Sequence, residues 1–207
     1  MLKQLRPAIV SVLAFTLFTG LLFPALITLI SQVLMPAQAN GSLIKRNGQV
    51  IGSRLIGQGF SKPQYFHPRP SAAGSGYDGA ASGGSNLGPT SNKLINGIPD
   101  DPKTKDSDEA FAGIKQLAAS YRTENALSPQ TQLPADAVTR SASGLDPHIS
   151  PENARLQAPR VAKARGMALE EVKGLIARNT QNRALGVLGE AGVNVLELNL
   201  ALDATHK

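Results

Sequence analysis

AIVSVLAFTLFTGLLFPALITLISQVLM, residues 8–35, holds no charged residue, and its polar interruptions are short: Ser11, Thr16, Thr19, Thr28, Ser31 and Gln32. At about 1.5 Å of rise per residue, a helix of this length exceeds the roughly 30 Å hydrocarbon core of a bilayer, so it can cross once. Lipid offers no partner to a free peptide group, so a lone span must be a helix, whose hydrogen bonds close within the segment. The expected architecture is therefore a single N-terminal transmembrane helix followed by one α+β soluble domain. A cleaved signal peptide is the competing reading: Lys3 and Arg6 form a basic start, and Ala37-Gln38-Ala39 fits a small-x-small cleavage site. Signal h-regions run only about 7–15 apolar residues, so length favours a retained anchor.

Within the span, Thr16, Gly20, Pro24 and Thr28 recur at spacing four. Small and hydroxyl residues let another membrane helix approach closely, and Pro24 should kink the helix locally. A lone anchor facing lipid could carry the same residues.

Lys3 and Arg6 precede the span without an acid, so the positive-inside bias makes residues 1–7 a cytoplasmic N-terminus and residues 36–207 an extracytoplasmic domain. Lys45, Arg46 and Arg54 on the other flank oppose this bias from further away. No cysteine is present, which excludes disulfides and Cys-ligated zinc. The net charge of +6 is dispersed, aromatics are 4% of residues and tryptophan is absent, which is not the clustered basic face with stacking rings that nucleic acid requires.

Beyond the span, Ser42–Leu55 carries two short runs around Asn47-Gly48, a pair that tolerates the positive φ angles of a type I′ hairpin turn. The following Ser61–Asn92 is rich in Pro, Gly and Ser and poor in aliphatics; it predicts a long surface loop (61–92) that builds no core, anchored by Tyr65, Phe66 and Tyr77. Helical periodicity from Asp108 to about Asn125 places Phe111, Ile114, Leu117, Ala118 and Tyr121 on one face, with Ser107 as N-cap and Asp108 and Glu109 at the positive end of the dipole. A short strand is expected around Ala137–Thr139. Ser150 and Pro151 suit the cap and first turn of a helix that should break near Gln157–Ala158, ahead of Pro159. Another helix is expected over Leu169–Asn179, and a half-buried strand over the alternating Leu198, Leu200 and Leu202, giving a small sheet and two or three helices.

Ala81–Ser91, ASGGSNLGPTS, is the candidate functional loop. Gly83 and Gly88 have the glycine spacing of a phosphate-binding P-loop, but Pro89 stands where its lysine belongs and removes a backbone donor. Ser82-Gly83-Gly84 matches the core of the ABC-transporter signature LSGGQ, which contacts nucleotide in trans, and equally suits a docking loop with tight turns. The candidate nucleotide or docking residues are thus Ser82, Gly83, Gly84, Ser85, Asn86, Gly88 and Thr90. A membrane-tethered hydrolase using Ser85 would need a G-x-S-x-G elbow, which fails at Leu87, and His67, His148 and Asp78 as partners. The three histidines, His67, His148 and His206, lack metal-ligand spacing, and His67 and His148, each beside a proline, read as ordered turn residues, so no metal site and no catalytic group is assigned.

The single span, YFHPRPSAAG at Tyr65–Gly74, the Ser/Gly loop, SGLDPHISPENA at Ser143–Ala154, RVAKARG at Arg160–Gly166 and VNVLELNLALD at Val193–Asp203 occur in one order over nearly the whole chain. In this the sequence resembles the C-subunit family of the bacterial Kdp potassium-transporting ATPase. The resemblance implies a plasma-membrane complex in which a channel-like A subunit binds K⁺, a P-type B subunit hydrolyses ATP and a small F subunit is a lipid-like helix. It implies a C subunit that serves assembly or activity without being catalytic. It also implies the suggestion that the Ser/Gly loop raises the B subunit's affinity for ATP, the one cofactor in view and then only within the complex. That suggestion conflicts with an extracytoplasmic domain, which meets no cytoplasmic ATP.

Overall fold

The computed structural model describes residues 2–99 and 110–205. The chain divides into two compact units, Met1–Ser53 and Arg54–Lys207. His206, Ser107, Asp108 and Glu109 lie outside the described residues.

In the first unit, helix α1 runs over Leu5–Leu34, 30 residues long and apolar enough to cross a membrane, with none of its apolar window buried. It contains a π-helical turn at Phe18–Leu22 between two α-helical stretches. Pro24 explains that turn, because it has no N–H to offer residue 20 and its ring crowds that residue's carbonyl. The ladder widens by one residue just before it, and the Phe23 N–H reaches back to the Phe18 carbonyl. At the end of the helix the amides of Gln32 and Asn40 pair, the Asn40 amide nitrogen donating to Gln32 Oε1 at 2.9 Å across the single turn Pro36–Ala39. A hairpin follows, β1 (Leu43–Arg46) antiparallel to β2 (Gln49–Ser53). Asn47 and Gly48 take φ of 52° and 78°, as the turn chemistry predicts.

The second unit is built on a three-stranded antiparallel sheet in the order β3-β5-β4, from β3 (His148–Ile149), β4 (Thr180–Gln181) and β5 (Gly192–Asn194). Its helices are α2 (Asn92–Asn96), α3 (Ile114–Glu124), α4 (Pro151–Arg165), α5 (Leu169–Arg178) and α6 (Val195–Thr205). The main core joins Ile149, Val161, Val172, Val193 and Leu198 with Phe66; a smaller cluster gathers Tyr121, Ala137 and Val138. The fold is thus the expected α+β arrangement with small antiparallel sheets behind one apolar N-terminal helix. Ser150 caps α4 as its sequence suggests, its hydroxyl accepting from the Asn153 N–H at 3.1 Å.

Several local expectations are corrected. Residues 198–202 form no strand: they belong to α6, whose buried Val195, Leu198, Asn199 and Leu202 follow the helical i, i+3, i+4, i+7 pattern. Residues 135–137 form a 3-10 turn, where a strand at Ala137–Thr139 was expected. Helix α4 passes unbroken through Pro159 because that residue lies on its exposed face, where the carbonyl it leaves unpaired can meet water. Phe111 is not on α3; it bridges Ile98 antiparallel, with the Arg140 guanidinium 4.1 Å from its ring centroid. The stretch 61–92 does contribute to a core: Phe66 and Ala73 are fully buried.

Candidate functional site: the Ser/Gly loop and a clamped strap

Residues 63–69 form an irregular strap with no helix or sheet ladder of its own, so its peptide groups need other partners. Side chains from far along the sequence take them up. Asn199 on α6 closes both groups of Phe66, accepting from its N–H at 2.8 Å and donating to its carbonyl at 3.0 Å. Gln157 on α4 does the same for His67, at 2.7 and 2.9 Å. One turn on, Arg160 donates to the carbonyls of Pro63 and Tyr65 and to the side chains of Asn125 and Gln157, and Arg165 joins the Gln64 carbonyl to Asp203. Asn153 links this grip to Tyr121 and to Asp136, which also takes the Ser150 N–H. Gln157, Arg160 and Arg165 of PENARLQAPRVAKAR are therefore a row of clamps on one backbone segment.

His67 is held on both ring nitrogens, by Glu124 Oε1 at 2.6 Å and the Lys62 carbonyl at 3.0 Å. The hydrogen bond from His67 holds the Glu124 carboxyl below its usual range; burial opposes it, and the charges of His67 and Arg160 add to it. A carboxyl lowered in this way contributes stability that is complete above its unfolded-state pKa and is lost as pH falls through the folded-state value. Glu124→Gln should therefore lose stability relative to the parent at neutral pH, and the difference should close in acid below about pH 4. Urea midpoints across that range measure it.

The Ser/Gly loop rests on residues 142–146. Ser71 Oγ donates to the Gly144 carbonyl at 2.6 Å and accepts from the N–H groups of Ala73 and Tyr77. Ser82 Oγ and the Gly83 N–H both donate to the Ser143 carbonyl at 2.9 Å. At Gly84 a Cβ would stand 2.9 Å from the Ala142 carbonyl oxygen, so close approach explains this glycine; at Gly83 and Gly88 a Cβ would meet nothing. Asn86 is exposed with φ of 51°, Ser85 is half-buried, Thr90 is exposed, and Ser91 caps α2. Arg69 braces the base through Asp146 at 2.9 Å. Burial pushes the Asp146 carboxyl up, but hydrogen bonds from His148 and Arg69 outweigh it and leave the group below its ordinary range. Burial pushes the Tyr77 phenol up, and its hydroxyl donates to the Arg69 carbonyl.

Gly144 decides how closely the two segments meet. Its φ is +66°, and a Cβ there would lie 2.6 Å from the Gly83 carbonyl oxygen and 2.7 Å from the Ala73 nitrogen, both rigid backbone atoms. Gly144→Ala should cost about 1–3 kcal/mol and release the loop. Faster limited proteolysis within 82–90, with helical content kept, would show it.

Of the sequence-derived candidates, the structure gathers Ser82, Gly83 and Gly84 against residues 142–144. It does not assemble Ser85, His67, His148 and Asp78: His67 is held by Glu124, His148 stands by Asp146, and Asp78 accepts from the Ala80 N–H. Sequence reasoning missed Arg69, Ser71, Gly144, Gln157, Arg160 and Asn199. Only Asn199 offered a signal, as the one polar residue within an apolar helical face.

A 30-residue apolar helix followed by an α+β unit whose polar side chains close on its own backbone fits a membrane-anchored protein. The family model for KdpC, described as the c chain of the K⁺-transporting ATPase, matches residues 5–204. Named potassium-transporting ATPase KdpC subunits are similar along their length. One from Mycobacterium tuberculosis is 51% identical over 203 residues, covering 98% of this chain and 99% of the relative. One from Caulobacter vibrioides is 52% identical over 207 residues, covering 100% and 95%. The chain belongs to the KdpC family of potassium-transporting ATPase subunits.

Proposed function

We propose that the chain is a non-catalytic subunit of an ATP-driven K⁺ importer, needed for the assembly and activity of a K⁺-binding A subunit, an ATP-hydrolysing B subunit and a small F subunit. Its N-terminus lies in the cytoplasm, residues 8–35 cross the plasma membrane, and the domain of residues 36–207 lies outside. Thr16, Gly20, Pro24 and Thr28 face a neighbouring span, and the Ser/Gly loop is a docking surface. A span and a folded unit on one chain give the second contact a high effective concentration once the first is made.

The observation that carries this reading is the engagement of the loop. The Ser82 hydroxyl and the Gly83 N–H, which a phosphate group would recruit, are already committed to the Ser143 carbonyl. The alternative, a catalytic chaperone contacting ATP through Ser82–Gly88, is motivated by the same Ser-Gly-Gly run. In the purified complex, Ser85→Ala and Asn86→Ala should leave the KM for ATP unchanged. A several-fold rise in that KM with kcat retained would instead establish the chaperone reading.

A further inference from the structure

Beyond β4 the chain continues as a finger, residues 182–191, that returns to β5. Its legs are held by the bridge between Ala184 and Leu188, with both N–H···O bonds at 2.9 Å, and by the Arg183–Glu190 ion pair at 2.6 Å. The base is seated where Gly192 meets the His148 side chain, to which a Cβ would come within 3.3 Å. At the tip, Leu185, Val187 and Leu188 are 89%, 72% and 60% exposed. Leu185 also has a φ of +54°, a left-handed conformation that Gly or Asn would take with less strain. A leucine here is unfavourable twice over in the free domain, through backbone strain and through apolar surface left in water. None of the three side chains belongs to a core cluster.

We propose that this finger is a docking knob that inserts Leu185, Val187 and Leu188 into an uncharged apolar socket on another subunit of the same complex. The inference rests on the reading of the chain as an assembly subunit, and it names the contact surface. The tip chemistry favours a protein socket over lipid. Interfacial anchors combine aromatic rings with unpaired Lys or Arg, whereas this finger has no aromatic residue and its one cation is neutralised by Glu190. A convex aliphatic tip with a charge pair further down its legs matches an interface with a dry centre and a polar rim.

The test uses the intact complex with benzoylphenylalanine at position 185, and at the exposed Glu170 as a control. Irradiation should join this chain from position 185, and not from 170, to a different subunit identified by mass. In parallel, Leu185→Asp should lower retention of the chain in the complex by roughly tenfold or more, with its own thermal unfolding unchanged because the tip touches no core. An adduct with lipid alone, an adduct with a second copy of this chain, or full retention of Leu185→Asp would overturn the knob while leaving the assembly reading intact. Failure of the unsubstituted chain to co-purify with any other subunit would overturn both.

Discussion

Asn199→Leu is expected to destabilise the Arg54–Lys207 unit by about 2–6 kcal/mol, although leucine shares the branched skeleton of asparagine and its apolar atoms better suit a buried helical face. Asn199 is 2% exposed, and it is the partner of both the N–H and the carbonyl of Phe66, itself fully buried. Leucine leaves two peptide groups without water or partner, each at about 1–3 kcal/mol. Urea unfolding of the detergent-solubilised chain gives the size of the loss, and amide exchange at Phe66 gives its location. Lys163→Ala, on the exposed face of α4, should stay within about 0.5 kcal/mol. Retained protection of the Phe66 amide in Asn199→Leu would show that the strap does not depend on this side chain.

Arg160→Met should cost about 3–5 kcal/mol, the range for removing one partner from a buried charged network. The Arg160 side chain is 9% exposed and serves four acceptors on three segments: the carbonyls of Pro63 and Tyr65, Asn125 Oδ1 and Gln157 Oε1. Arg160→Lys should recover less than half of the loss, because an ammonium group has three donors without the planar fork that reaches these directions at once. Asn199 and Arg160 grip neighbouring residues of one strap, so the double variant should lose less than the sum of the two. Strict additivity would mean that the two ends of the strap are held independently.

The same strap shows where the sequence is legible. The apolar helix, the Asn-Gly hairpin, the Ser150-Pro151 helix start and α5 were each readable because their signals are local: composition, turn chemistry or periodicity within a few residues. The strap has no such pattern, since the side chains that close on the peptide groups of residues 63–67 stand 90 to 133 positions away. Residues 195–202 show a sharper limit. Leu198, Leu200 and Leu202 alternate as a strand would, while Val195, Leu198, Asn199 and Leu202 fit a helix, and choosing between them required knowing that Asn199 faces inward. At the candidate loop the glycines were visible, but Gly144, which decides how closely the loop can lie, stands sixty residues beyond them and gave no sign of its role.

The absence of cysteine makes the central claim, an extracytoplasmic assembly subunit, directly measurable. Single cysteines at Arg155 and Glu170, both exposed, and at Gln4 before the span, would be labelled with a membrane-impermeant maleimide in spheroplasts and again after lysis. The account predicts that positions 155 and 170 label fully in spheroplasts and position 4 only after lysis. The reverse pattern would contradict it, placing the Ser/Gly loop on the side of the membrane where ATP is found.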